Sequence, residues 1–450
     1  MTRLPLITLA GLLMTSAVIA APALSGPVTF HKGVLPIFQK HCQECHRPGE
    51  VAPFSLIAYK DARPWAKSIK ASVLARKMPP WFAEPNPHQY VNERKMTDEE
   101  IAIIANWVDG GALEGDAKAS PAPVSFPSGW SIQPDIEVSM PKPFHLPAKA
   151  TINYQFILVK TDFPEDMWVE SAEMRPGNSK VVHHGKVWVR PPGSHWMERA
   201  VPGEAYEYER NFDIMGFNSA REGNDMLGKF NPGLGPQTFN VNGSAKFIPK
   251  GSDLVFELHY TADEVETTDV SKLGIVLAKY QPASRYLFHA GPAAFNLVIP
   301  PGEPNSEAVA ELTVMIPSKL AYVQPHMHLR GKDYEVRLYY PTGEMETVFR
   351  GKWDFEWQQG FTFTRPIDLP AGTRIVGISH FDNSPNNKWN PDPSKEVRWG
   401  AQNWDEMSQA FLGVVFDLNV PPERVLRPSG PSLRRPVPGE AGPTLNSLNP

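Results

Sequence analysis

Both cysteines of this 450-residue chain stand in one pentapeptide, Cys42-Gln43-Glu44-Cys45-His46. That placement constrains the fold twice over. No thiol remains for a disulfide or a zinc–thiolate site, so the rest of the chain must be held by apolar burial. Cys-x-x-Cys-His is also the attachment pattern of c-type haem, in which two thioethers fix the porphyrin and the next histidine ligates the iron. The expected cofactor is one covalent haem c, carried on a small helical unit.

The N-terminus supports this. Arg3 precedes an apolar stretch, Leu4 to Ala20, followed by small residues. This reads as a secretory signal over 1–21, because it is short for a membrane span and ends at a small-residue site. Haem attachment through cysteines takes place outside the cytoplasm, so a periplasmic or secreted protein is expected. No stable membrane span is expected after cleavage, and retention of the segment as an anchor stays open. The formal charge of −5 and the lack of a basic run with interleaved aromatics speak against nucleic acid. Proline, at 47 residues, is roughly twice its usual 5% share, which favours loops and turns over a helical bundle.

The chain divides by pattern. Residues 27–117 read as helical. Val34–His41 leads into the haem motif, and Ala62–Ala75 has helical apolar spacing. Thr97 and Glu100 form a capping box ahead of Ile101, Ile103, Ile104, Trp107 and Val108. Asp109-Gly110-Gly111 ends that helix. Residues 118–140, rich in Pro, Ser and Ala, read as a linker. From 141 to 425 short strands alternate with Pro-Gly and Lys-Gly turns. Examples are Ile152–Val159, Lys186–Val189, Leu254–Tyr260, Leu273–Ala278, Tyr334–Tyr340, Ile375–Phe381 and Phe411–Leu418. The expected fold is a small all-α domain followed by two tandem antiparallel β jelly-roll domains, 141–290 and 291–425. The Pro/Gly-rich tail 426–450 is expected to be disordered. A weak repeat supports the tandem. Ile248-Pro249-Lys250-Gly251 and Leu369-Pro370-Ala371-Gly372 each open a strand that reaches a histidine, His259 and His380, at an offset of 121 residues.

His46 is the proximal haem ligand by its place in the motif. Met78, stiffened by Pro79-Pro80, is the distal candidate, and Met96, at a helix start, is its rival. Ligation by histidine and methionine leaves no open position on iron, which suits electron transfer and not substrate binding.

The remaining chemistry gathers in three places: His183-His184-Gly185, His259, and His326-Met327-His328. Alternate residues of a strand share a face, so His326 and His328 can chelate one metal. His183 and His184 point to opposite faces of a regular strand. They meet at one metal only where the strand bulges, which Gly185 permits. Singly each has an ordinary structural explanation, His259 as a core histidine and the pair as a surface feature. Together, in a secreted redox chain, they point to metal.

His183-His184, His259, His326-x-His328-x-x-Gly331 and Asp405-Glu406-Met407 follow in order the motifs of the copper type II, ascorbate-dependent monooxygenases. The familiar members are dopamine β-hydroxylase and the peptidylglycine α-hydroxylating enzyme. The chain resembles that family over roughly 141–425, and residues 27–117 look like a class I c-type cytochrome domain. The resemblance implies two coppers. His183, His184 and His259 would hold the electron-transfer copper, and His326, His328 and Met407 the catalytic one. The two would face each other across a solvent-filled cleft between the domains. Dioxygen and an organic substrate would be the partners, with the haem or an external donor supplying electrons. A soft thioether favours Cu(I), the state that meets dioxygen, and imidazole suits both copper states.

Several positions depart from the family. Gly185 stands where the animal enzymes have methionine, and their disulfides cannot form. Gln324 replaces the arginine that holds a peptide carboxylate, so peptide amidation is not expected. His380 is open as a further ligand or as a group supporting one. Trp389-Asn390-Pro391-Asp392-Pro393 fits either a cleft wall or a surface turn. The leading expectation is a copper-dependent monooxygenase fed by a fused haem. Two alternatives are a non-enzymatic haem–copper electron-transfer or metal-sensing protein, and a structural β-sandwich with a vestigial haem unit.

Overall fold

A computed structural model describes residues 26–429, apart from 51, 127–128, 151, 208–210, 212–224, 232 and 262. The expected leader over 1–21 and the tail beyond 429 lie outside the described residues. Among the described residues no helix is long and apolar enough to cross a membrane.

The N-terminal unit is helical, as its pattern demands, but its helices are short: Leu35–His41, Tyr59–Ala62, Ala66–Leu74 and Asp98–Asp109. Ile104 and Trp107 of the last pack on Phe30, Val34 and Phe38. The capping box forms in full, with Thr97 Oγ1 accepting from Glu100 N and Glu100 Oε2 accepting from Thr97 N. Glu100 also receives Lys40 at 2.9 Å and His41 at 3.1 Å, tying this helix to the one that leads into the Cys-x-x-Cys-His motif. Burial raises the Glu100 carboxyl, but these donors outweigh it and push the pKa down to about 2.

This unit is not self-contained. Residues 80–92 leave it and lie along the C-terminal β-region. There Ala83 bridges Gly351 and Tyr90 bridges Phe363. Tyr90 is buried between Phe361 and Phe363, 5.4 Å from each ring. The apolar Trp81 and Tyr90 find a larger core there than the small helical unit offers.

The β-region is built in three layers. A nine-stranded sheet runs, in spatial order, through Ile136–Ser139, Lys272–Leu277, Met167–Arg175, Ser244–Ile248, Ser284–Ala293, Gln409–Phe416, Ser318–His326 and Phe361–Leu369, with Gln237–Thr238 on the third of these. One five-stranded sheet has the order Ala205–Glu207, Gln155–Val159, Asp253–Tyr260, Val182–Arg190, Asp225–Phe230. The other has Met345–Lys352, Gly331–Tyr339, Arg374–Phe381, Ser306–Val314, Leu426–Ser429. The result is a pair of jelly-roll-like β-sandwiches.

Three expected boundaries shift. The linker ends before 140, because Ile136–Ser139 pairs with Lys272–Leu277. The junction at 290/291 falls inside Ser284–Ala293, whose parallel pairing with Ser244–Ile248 makes one sheet of both halves. The tail is ordered as far as Ser429, since Leu426–Ser429 pairs with Ser306–Val314 and buries Leu426.

Strand alternation explains the sharing. Phe411 and Val415 enter the first core with Tyr286, Phe288 and Tyr322. The intervening Leu412, Val414 and Phe416 enter the second core. Both faces of these middle strands are thus buried.

The 121-residue repeat has a structural counterpart. Gly251 and Gly372 turn with φ of 73° and 89°, a conformation that favours glycine. The strands they open, Asp253–Tyr260 and Arg374–Phe381, each lie in the middle of a five-stranded sheet.

Candidate metal centre

Two histidine groups meet at the junction of the sandwiches. The first is set by strand register. His259 and His184 are direct cross-strand partners, and the ladder then jumps so that Tyr260 pairs with Val182. His183 is the extra residue of that bulge. The bulge turns its ring to the same side as its neighbour, which a regular strand forbids. The ligand atoms of His183, His184 and His259 lie within 4.8 Å of one another. Bonds of about 2 Å to a shared ion hold ligand atoms within roughly 4 Å, so the group is slightly more open than a closed coordination sphere.

Supporting residues fix these rings. Tyr154 O–H lies 2.6 Å from His184 Nε2, and the Tyr154 ring stacks on His259 at 4.6 Å. In the tautomer where His184 Nε2–H donates to the phenol oxygen, Nδ1 keeps its lone pair. That Nδ1 is 3.0 Å from His183 Nδ1. Burial lowers the pKa of all three imidazoles, that of His259 to about 3. All three are therefore neutral at pH 7, the form that binds metal.

The second group sits on the neighbouring layer. His326 ends its strand opposite Gln409, the first residue of the strand that follows Met407. Gln409 Nε2 approaches Met407 Sδ at 3.8 Å. Glu406, fully buried, clamps the backbone: its Oε2 accepts from His328 N at 2.7 Å and Met407 N at 3.0 Å, and its Oε1 from Arg330 N at 2.6 Å. Burial nonetheless pushes the Glu406 pKa up to about 8. His326 Nδ1–H donates to Gln358 Oε1 at 2.9 Å, leaving Nε2 for another partner. Burial drives His326 well below its ordinary pKa and His328 down to about 4.

The expected separation of the groups is not found. The His184 and His326 rings are 6.5 Å apart, centroid to centroid. Phe411 packs beside His326, with ring centroids 6.0 Å apart. A cavity of about 270 Å³ reaches His259 from outside, lined by Lys149, Ile152, Thr261, Asn403 and Trp404 among others.

The residues fit a metal by an internal test. His259 Nδ1 is buried without a hydrogen-bond partner, whereas the His328 ring has backbone groups of Gln402 and Asp405 beside it. An orphan like His259 Nδ1 costs roughly 1–3 kcal/mol unless satisfied. Three imidazoles in one group, and in the other the His326 and His328 rings 5.3 Å apart with the backbones of His328 and Met407 held by one carboxylate, offer nitrogen donors suited to copper.

The Cys42–His46 pentapeptide follows the helix Leu35–His41. His46 Nδ1–H donates to Phe54 O at 3.1 Å, which fixes the ring and frees Nε2. Met96 is buried in the helical core. Met78 is part-exposed, and Cys42 and Cys45 are unbridged.

His380 occupies the repeat position of His259 but belongs to neither group. Its Nδ1 pairs with Asp333 at 2.7 Å and its Nε2 with Glu307 at 3.5 Å. The opposite strand supplies carboxylates there instead of a second histidine. Residues 389–393 form a surface turn, with Trp389 under Lys388 and Asp392 N bonded to Asn390 Oδ1.

Several contributors carried no role in the sequence reading. Tyr154, Gln358 and Glu406 are examples, the last lying inside the quoted Asp-Glu-Met motif. Lys186 and Lys229 are others, buried in apolar strands. Lys186 pairs with Glu257 at 2.6 Å, and Lys229 donates to Gln324 at 2.9 Å. A lysine inside an otherwise apolar strand is the signal that could have marked them.

No family model matches the chain, and no curated protein is similar to it. Among solved structures it is similar to the infectious bursal disease virus Gx strain structure (10% identity, 68% of this chain and 78% of that one, TM-score 0.17). It is also similar to PNGF-II (11%, 62% and 65%, TM-score 0.23) and to PNGase F, a glycosylasparaginase from Flavobacterium meningosepticum (10%, 68% and 95%, TM-score 0.24). At these scores the likenesses carry no argument about activity or family.

Proposed function

We propose that the chain is an extracytoplasmic copper-dependent monooxygenase with a fused c-type haem domain. His183, His184 and His259 would hold one copper, and His326, His328 and Met407 the other. Cys42, Cys45, His46 and Met78 would hold the haem. The bound metals would supply the redox chemistry: dioxygen, two electrons and two protons yield a hydroxylated C–H bond and one water. The protein's part is to keep five imidazoles neutral, to aim them through Tyr154, Gln358 and Glu406, and to exclude water by packing. The organic substrate would approach through the cavity beside Trp404 and Asn403. Nucleic acid has no place in this reading.

The observation that supports it best is the bulge at His183, which gathers three ligand atoms within 4.8 Å beside the His326/His328/Met407 group. The test is anaerobic reduction of the purified protein, addition of dioxygen, and observation of the haem band with and without copper. Haem reoxidation that ignores copper would refute the coupling.

The 6.5 Å approach of the His184 and His326 rings favours a second reading, a haem–copper protein that carries electrons or senses metal without turning over a substrate. Met407→Ala would then leave function intact, whereas the oxygenase would lose turnover and keep its other copper.

A further inference from the structure

Resting on that reading, we propose that the loop 353–360 carries electrons from the haem to the His326/His328/Met407 copper, with Trp357 and Gln358 as its positioning residues. The step is a single electron transfer. Fe(II) haem becomes Fe(III), Cu(II) becomes Cu(I), and no bond or proton is exchanged.

The loop joins two regions far apart in sequence. At the haem end, a point one carbon out from the Gly233 Cα is approached by Arg94 Nη1 at 3.3 Å, the Trp357 ring at 3.7 Å and the Cys45 sulfur at 3.8 Å, so the ring and the sulfur are neighbours across a gap that both onward paths share. Gln359 Nε2 donates to Pro80 O at 2.5 Å, two residues past Met78. The loop thus touches the neighbourhood of both haem-side features. At the other end, Gln358 Oε1 accepts from His326 Nδ1–H at 2.9 Å, and Trp353 Nε1 donates to His328 O at 2.9 Å. Phe355 stacks on His183 with centroids 5.4 Å apart.

Both histidine groups are therefore in reach, but by different kinds of contact. From Trp357 to His326 the path is one peptide unit, one side chain and one hydrogen bond. From Phe355 to His183 it crosses a van der Waals gap. Electrons pass more readily along bonds and hydrogen bonds than across gaps. The geometry thus favours delivery to the His326 group first, not to the all-imidazole group.

The test uses full-length protein carrying haem and copper, without dioxygen or substrate. A photochemical donor reduces the haem, and haem absorbance and the Cu(II) resonance are followed. In the wild type, given less than one electron per chain, the Cu(II) signal lost first is the one altered by Met407→Ala. With free copper high enough to keep both groups loaded, Trp357→Leu and Gln358→Leu slow haem reoxidation by on the order of tenfold or more. Trp357→Leu leaves the haem spectrum and copper affinity unchanged, whereas Gln358→Leu, which removes a contact to His326, also weakens copper at that group. Trp357→Phe, which keeps an aromatic ring, recovers most of the rate. A greater slowing by Phe355→Leu than by Gln358→Leu overturns the route. So does insensitivity to both leucine variants while wild-type reoxidation needs copper. Reoxidation that needs no copper in the wild type fails the functional reading itself, and the route with it.

Discussion

Glu406→Ala tests the frame of the second histidine group. The side chain is fully buried and accepts three backbone N–H groups, from His328, Arg330 and Met407. Alanine leaves three buried donors without partners. At roughly 1–3 kcal/mol each, and with partial relaxation, the variant should lose about 3–6 kcal/mol. Equilibrium urea unfolding of metal-free protein measures this, and copper titration measures the second consequence. His328 and Met407 lose their common anchor, so copper at that group should weaken while the His183/His184/His259 group keeps its own. The pH dependence supplies an internal check. Burial pushes the Glu406 pKa up to about 8. Between the ordinary carboxylate range and about 8, the folded chain holds a proton that the unfolded chain has released. That contribution to stability is complete at low pH and falls as pH rises. The deficit of Glu406→Ala should therefore shrink from pH 5 to pH 8. A loss below about 1 kcal/mol, or equal weakening of both copper sites, would refute the clamp.

Other outcomes follow from the same geometry. Tyr154→Phe removes the 2.6 Å contact to His184 but keeps the stack on His259, and copper affinity at the triad should fall by about 10–100-fold in competition titrations. Copper at about 100 times its dissociation constant should stabilise the wild type by roughly 2.7 kcal/mol, read as a rise in Tm. His259→Ala should lose much of that rise. Glu335 accepts from Arg337, Thr347 and Arg350. Burial alone would raise its pKa, but these donors push it down to about 2. Its contribution is present above the ordinary carboxylate range and is lost as pH falls from there toward 2. Glu335→Gln should thus cost about 1–2 kcal/mol at pH 7 and almost nothing near pH 2, by urea unfolding at each pH.

Local order was legible in the residues because local rules produce it. Short apolar runs bounded by turn residues located the strands Asp253–Tyr260, Arg374–Phe381 and Gln409–Phe416 to within about two residues. The Thr97–Glu100 pair announced a helix start that forms as written. The demand that His183 and His184 share a side required a bulge, and the strand carries one. What the sequence could not disclose depends on partners distant along the chain. Only the tertiary structure decided that the two sandwiches share a sheet, because either face of Gln409–Phe416 is apolar enough to be buried. Only it sent residues 80–92 from the helical unit to the second core. Only it separated His259 from His380, equivalent in the repeat, by placing a histidine opposite one and an aspartate opposite the other. Register decides which side chains meet, and register is fixed by long-range pairing that alternation alone leaves open.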